Sequence, residues 1–283
     1  MKVLNIGIIG LDTSHAVAFT ELLHNENLPY YIPNARITCA FPSGSPKTIS
    51  QSRINEFTET VRSYGVEIVN TAEEVVNNCD AILLLSVDGG QHLAQFSEIA
   101  QYGKPVFIDK PLALSTNEAQ QIYKLAKLYN TPIMTCSALR FAEDVMHIPR
   151  QDILAVDCYG PMPMLEQWNY FWYGIHTVEI LFSLLGPGFK QVEKIPCTTG
   201  DFFIATWQDG RTATIRGHRN ANQRFGATIH YAEDSLAIQV QNKSKPFYAS
   251  LLEEIIRFFT TGVSPISEQE TMEIILFLES MND

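Results

Sequence analysis

No apolar stretch of this 283-residue chain approaches the ~20 consecutive residues that a membrane-spanning helix needs, so no membrane partner is expected. Positive charge is also scarce: 20 Lys and Arg stand against 31 Asp and Glu, a formal net charge of -11. Polyphosphate repels a chain of that sign, which argues against nucleic acid but leaves room for a locally basic small-molecule site. The five cysteines, Cys39, Cys79, Cys136, Cys158 and Cys197, are scattered, odd in number and without the paired spacing zinc requires. They read as reduced, mostly buried thiols. The start, MKVLNIGIIG, has no charged n-region followed by a long apolar segment and a small-residue cleavage site, so the cytoplasm is the expected location. No internal repeat and no low-complexity segment interrupts the chain.

What is present is the composition of a globular protein, 46% hydrophobic and 18% charged, with enough length for two ordinary cores. Over the first half, short buried apolar runs alternate with helical patterns. Strands are expected at Val3–Ile9, Arg36–Phe41, Glu67–Val69, Ala81–Leu85, Val106–Ile108 and Thr131–Cys136. Helices are expected over Asp12–His24, Ile49–Tyr64, from Thr71, over Gln91–Gln101 and over Ser115–Tyr129. Such alternation predicts an α/β fold, a doubly wound parallel sheet, over residues 1–137. Residues 138–283 change pattern: strands at Ile153–Cys158, Phe202–Gln208, Arg211–Gly217, Ala227–Tyr231 and Ser235–Val240, with helices near Gly174–Leu185 and Tyr248–Thr260. The hairpin signal Gln208-Asp209-Gly210-Arg211 supports an α+β domain with a mainly antiparallel sheet.

Ligands of open parallel sheets bind at the carboxyl ends of the strands. Here those ends carry Ser86, Val87 and Asp88 after one strand, and Asp109, Lys110 and Pro111 after the next. The first turn, Gly10-Leu11-Asp12-Thr13-Ser14-His15, lies where the dinucleotide fingerprint G-x-G-x-x-G would lie, with Asp12 and His15 at the second and third glycine places. A carboxylate ~4 Å from a phosphate costs roughly 1–4 kcal/mol. Asp12, Thr13 or Ser14 is expected to cap the following helix. The free amides of that helix end would still hold an anion. The second strand ends without the acidic residue that grips the ribose of NAD; Phe41-Pro42-Ser43-Gly44-Ser45-Pro46-Lys47 suits a ribose phosphate, which mildly favours NADP. Asp12, His15, Asp88 and His92 would gather at one sheet edge, a ligand set acceptable to a divalent metal.

The order of these pieces resembles the Gfo/Idh/MocA family of nicotinamide-dependent oxidoreductases, which act mostly on sugars, inositols and related polyols. The residues that carry the resemblance are Gly7-Ile8-Ile9-Gly10, Cys79–His92, Gly103–Leu112 and Gly174–Glu179. The resemblance implies an NAD or NADP cofactor contacted by Gly7, Gly10, Asp12, Thr13, Ser14, His15, Ser43, Ser86, Val87, Asp88, His92, Asp109 and Lys110. It makes Lys110 and His176 the catalytic pair, the lysine on the substrate hydroxyl and the histidine as general acid/base. Because His92 has a counterpart in metal-free members, no metal is expected. An aspartate found four residues before the histidine in inositol-oxidising members is replaced by Trp172, for which Tyr170 or Tyr173 would have to substitute. Arg140, Trp168, Tyr173 and Glu179 are the expected substrate contacts, within an aromatic and polar cluster that includes Tyr159, Glu166 and Asn169. A homo-oligomer, dimer or tetramer, built on the second sheet is expected. A degenerate small-molecule binding or regulatory protein without redox activity is the alternative that Asp12, His15, the missing acidic residue and Trp172 leave open.

Overall fold

The computed structural model describes residues 3–165, 168–219, 223–242 and 245–282. In chain order it contains β1 (Leu4–Ile9), α1 (Ser14–His24), β2 (Ala35–Phe41), α2 (Thr48–Gln51), α3 (Ile54–Ser63), β3 (Glu67–Ile68), α4 (Ala72–Asn77), β4 (Ala81–Leu84), α5 (His92–Ile99), β5 (Val106–Asp109), α6 (Thr116–Tyr129) and β6 (Ile133–Cys136). Then follow α7 (Glu143–Met146), β7 (Ala155–Pro161), α8 (Tyr170–Leu185), β8 (Phe189–Ile195), β9 (Asp201–Trp207), β10 (Thr212–His218), β11 (Gly226–His230), β12 (Ser235–Gln239), α9 (Phe247–Thr261) and α10 (Glu268–Asn282). The chain divides into two compact units. One is Met1–Ala113, Asn117–Cys136 and Tyr248–Ile266; the other is Leu114–Thr116, Ser137–Phe247 and Ser267–Asp283.

In the first unit six parallel strands run in the order β3-β2-β1-β4-β5-β6. All four residues of β4 are fully buried, as a strand covered by helices on both faces requires. The order reverses between β1 and β4, where Ile6–Ile9 pair with Ala81–Leu84. That is the crevice in which a doubly wound sheet accepts ligands. It brings the turn after β1 against the turn after β4: a Cβ on Gly10, whose φ is +96°, would stand 2.4 Å from the Ser86 amide nitrogen. Gly7 serves packing instead, since a Cβ there would meet Val75 Cγ1 at 2.3 Å. The helix expected over Ile49–Tyr64 is divided into α2 and α3, and the Ser50 hydroxyl of α2 donates to Asp12 at the sheet edge. α9 joins this unit through Tyr248, whose ring meets His15 edge-on at 4.7 Å.

The second unit holds a six-stranded sheet in the order β12-β11-β7-β10-β9-β8, antiparallel except for β7 with β10. α8 and α10 pack together and against this sheet, and Val156, Cys158, Phe203, Ala205, Trp207, Ala213, Ile215 and Ile229 fill the layer. The alternate residues Asp157, Tyr159, Phe202, Thr214, Arg216 and Thr228 line a hollow of about 590 Å³ on the other face. Three elements go beyond the sequence reading: the four-residue α7, β8 and α10. β8 (FKQVEKI) is an edge strand whose polar residues conceal it, whereas the apolar positions of α10 recur at helical spacing and were readable. Four cysteines are buried and Cys197 is exposed, in keeping with the expectation of mostly buried thiols. Among the described residues no helix is long and apolar enough to cross a membrane.

Gly10→Ala is expected to lower stability well beyond the ~1–2 kcal/mol of left-handed backbone strain, because the added methyl also strikes main chain. Gly65→Ala, at φ +81° with nothing within 4 Å, supplies the control that carries strain alone. Thermal denaturation of the two variants checks this; equal losses would remove the close approach of the two turns.

Candidate active site

The turn after β1 folds as it does because Asp12 points inward. Its carboxylate is fully buried, accepting the Val87 amide at 2.9 Å and the Ser50 hydroxyl at 2.6 Å. Asp12 thus joins the loops after β2 and β4 to the end of β1. Burial pushes its pKa up, against the lowering effect of those two donors. The expected capping of α1 is not found: Thr13 occupies the cap position without a side-chain hydrogen bond, and the Asp12 carboxylate is turned to Ser50 and Val87. Ser14 is exposed, its hydroxyl 3.5 Å from that of Tyr248. The first turn of an 11-residue helix therefore has no side-chain cap at the carboxyl edge of the sheet. The carboxylate that threatened to repel a phosphate has been withdrawn from it.

His15 fills the third glycine place by packing flat on Phe19, with ring centroids 5.3 Å apart, and setting Nδ1 2.9 Å from Asp109 Oδ1. Asp109 is fully buried at the end of β5, and Lys110 Nζ lies 3.6 Å from its Oδ2. Burial alone would raise the Asp109 carboxyl; the fields of His15 and Lys110 outweigh it and hold the group well below the usual carboxylate range. Lys110 is 8% exposed and precedes a cis peptide bond to Pro111. A lysine so placed has little contact with water and an anionic neighbour.

The remaining expected contacts of this unit are structural as well as chemical. His92 is fully buried and spans two turns: Nε2 lies 2.8 Å from the Ser86 carbonyl, and Nδ1 lies 3.0 Å from that of Pro111. Asp88 accepts the Gly90 amide and pairs with Lys47 at 3.3 Å. Ser43 accepts a hydrogen bond from Gln95 at 2.7 Å, and Ser86 Oγ is buried at the approach of Gly10. Asp12, His15, Asp88 and His92 each turn to a different partner, and among the described residues no group of three or more His, Cys, Asp or Glu side chains gathers.

In the second unit α8 carries His176 and Glu179. Ser137, directly after β6, sits 2.6 Å from His176 Nδ1 through its hydroxyl, while its amide donates to Glu179 Oε1 at 3.1 Å. Tyr173 and Phe225 hold the imidazole edge-on at 5.5 and 5.7 Å. Arg140 is buried between two carboxylates, each 2.7 Å away: Glu179 and Glu270. Burial raises the pKa of Glu179 despite the opposing arginine. Trp168 is 5% exposed and stacks on Trp172 at 4.6 Å, and with Asn169 and Phe171 it lines a hollow of about 460 Å³. The aromatic cluster is smaller than expected. Tyr159 faces the uncovered side of the sheet, the Tyr170 hydroxyl donates to Asp201 at 2.8 Å, and Glu166 lies outside the described residues. Tyr170 is thereby spoken for and does not replace the missing aspartate.

Sequence reasoning missed Ser50, Ser137 and Glu270. Ser137 was findable, since it ends a parallel strand just as Ser86 and Asp109 do. Ser50 and Glu270 carried no signal.

Residues 4–135 match the model of the family GFO_IDH_MocA, described as "Oxidoreductase family, NAD-binding Rossmann fold". The whole chain shares the fold of solved dehydrogenases. A probable dehydrogenase from Thermotoga maritima superposes with TM-score 0.76 at 16% identity, covering 99% of this chain and 97% of that one. The apo scyllo-inositol dehydrogenase of Lactobacillus casei gives 0.75 at 16%, covering 99% and 95%. An oxidoreductase from Agrobacterium radiobacter in complex with NAD+, L-tartaric acid and magnesium gives 0.75 at 12%, covering 98% and 95%. No curated protein matches the sequence.

Asp12→Asn tests the withdrawn carboxylate. Because burial raises the folded pKa of Asp12 above the ordinary aspartate value of about 3.9, the folded state holds a proton that the unfolded state releases. The contribution of this group therefore favours folding most at low pH, declining as pH rises from that value through the folded pKa. The melting temperature of Asp12→Asn relative to the parent should rise with pH from about 4 upward. A difference that does not vary with pH would show Asp12 to be ionised without cost.

Proposed function

We propose that this protein is an NAD(P)-dependent oxidoreductase acting on a sugar- or polyol-like small molecule in the cytoplasm. The observation that carries the reading is Lys110, buried beside Asp109 at the edge of a family-matched NAD-binding sheet whose α1 leaves its first turn without a side-chain cap. The residues present fit a dinucleotide there. The backbone of Gly10–Ser14 and the Thr13 and Ser14 hydroxyls would take the pyrophosphate. Ser43 and Lys47 would take the ribose end, with NADP mildly favoured, although Lys47 must then loosen from Asp88. When bound, the cofactor supplies the hydride acceptor or donor. Lys110 and His176 hold or move the proton of the substrate hydroxyl, with Tyr173 offering an aromatic edge to the substrate. Arg140 and Glu179 act by fixing the peptide around Ser137.

The second reading, a binding or regulatory protein without redox chemistry, is favoured by the buried Asp12 and by Trp172 standing where related inositol-oxidising enzymes carry an acid. Fluorescence titration with NADH and NADPH separates the two. Micromolar binding of either cofactor is the expected result; no binding at millimolar cofactor would favour the second reading. Lys110→Ala should then abolish turnover, by at least ~100-fold as for loss of a positioned proton-transfer group, while cofactor affinity changes little.

We also infer association of copies through the uncovered face of the second sheet. Asp157, Arg216, His218 and His230 set both signs of charge beside half-buried Phe202 and exposed Ile204, a mixture that can complement itself about a two-fold axis. Sedimentation should report a dimer or tetramer that Ile204→Asp dissociates. A monomeric parent protein would dismiss this surface.

A further inference from the structure

Asp201, the first residue of β9, is a buried carboxylate attended by two cations. Its Oδ2 accepts from Arg219 Nε at 2.9 Å, and its Oδ1 accepts from Arg219 Nη2 at 2.7 Å and from the Tyr170 hydroxyl at 2.8 Å. Lys194 Nζ stands 3.6 Å from the same Oδ1 and donates to the Tyr170 hydroxyl at 2.7 Å. Burial alone would raise the Asp201 carboxyl; Arg219 and Tyr170 outweigh it and hold the group below its usual range. It is therefore an anion, and the fork of one arginine already satisfies it. Lys194 adds a positive charge beyond that need. Among the described residues neither cation has another acidic partner.

Both cations are held in place. The fork on Asp201 orients the Arg219 guanidinium, while Lys194 Nζ lies over the rings of Tyr170 and Phe203, 5.1 and 5.8 Å from their centres. Each side chain is still half exposed, Lys194 at 50% and Arg219 at 49%, so both are open to a ligand. An arginine has five N–H donors and an ammonium three; Asp201 takes two from Arg219, and Tyr170 takes one from Lys194. Because the two cations approach one carboxylate oxygen, a single small anion can bridge their remaining donors. β7 and β10 run parallel, with Pro161 opposite His218, so Arg219 leaves the sheet at the same end as the segment that leads into α8, the helix of His176.

We propose that Lys194 and Arg219, positioned by Asp201 and Tyr170, form an anion subsite in the second unit that takes the phosphate or carboxylate of an acidic sugar or polyol. Local positive charge of this kind in a chain of net charge -11 attracts an anion that the rest of the surface repels. Donors already fixed in direction lose little freedom when it binds. The inference rests on the reading of the second unit as the holder of a polyol-like ligand, and it narrows that class to the anionic members.

Proton–nitrogen correlation spectra of the arginine Nε–H groups test it, on protein labelled with ¹⁵N at arginine, with the Arg219 signal assigned by Arg219→Lys. Inorganic phosphate, glucose 6-phosphate, gluconate and glucose are titrated in turn at constant ionic strength. The Arg219 signal should shift saturably with phosphate and with at least one of the two acidic sugars, and not with glucose. Whichever of glucose 6-phosphate and gluconate binds more tightly names the anion. Lys194→Gln, checked for folding by circular dichroism, should weaken that binding about fivefold, the scale of one half-exposed charge contact. An Arg219 signal that stays still, that drifts alike with every anion including chloride, or that saturates equally well in Lys194→Gln would overturn the subsite. No nicotinamide cofactor is present in these titrations, so their outcome is separate from that of the NADH and NADPH titration on which the redox reading depends.

Discussion

A single buried carboxylate holds the nucleotide edge of the first unit together. Asp12 stands where a dinucleotide fingerprint has its second glycine, and a charge at that place would ordinarily repel the phosphate the turn exists to hold. The chain resolves the conflict by rotation. The carboxylate is directed into the sheet edge, where the Val87 amide and Ser50 hydroxyl satisfy it, and α1 is left without a side-chain cap. The loop after β2, the turn after β1 and the turn after β4 become one hydrogen-bonded assembly. His92 extends it by bridging the Ser86 and Pro111 carbonyls, which brings in the turn after β5.

That assembly places Lys110 as much as the strand does. The lysine is fixed by β5, but its electrostatic surroundings come from Asp109, and those of Asp109 from His15 on α1. His15 is the residue in the third glycine place, so the second departure from the fingerprint also has a partner: its Nδ1 stands beside the buried Asp109 carboxylate, where a glycine would have left Lys110 alone. In the second unit the same economy recurs. Glu179 anchors the Ser137 amide, Arg140 balances Glu179, and the Ser137 hydroxyl is then left to His176.

Much of this was legible in the residues. Buried apolar runs such as AILL and the polar residues that end them identified the strands, their parallel order and the edge at which chemistry would gather. The spacing of His176 and Glu179 placed both on one helix face. The capping of α1 was misjudged because propensity favours Asp, Thr or Ser at such a position, whereas Ser50 and Val87, 38 and 75 residues away, made better partners for Asp12. Tyr159 was expected in the cluster near His176 and instead faces the uncovered side of its sheet for a related reason: alternation gives two faces, and only packing says which one α8 covers.

The sequence by itself determined the fold class, the strand ends and the kinds of group available there, because hydrophobic periodicity and turn chemistry are local properties that neighbouring residues settle among themselves. Only the tertiary structure decided which of those groups are spent on one another. Asp12, His92 and Arg140 read from the chain as ligand contacts; in the fold each finds a buried partner more than 10 residues away in sequence. A buried charge or polar group must be satisfied wherever the fold puts it, and the identity of its partner depends on distances that exist only after the chain has closed.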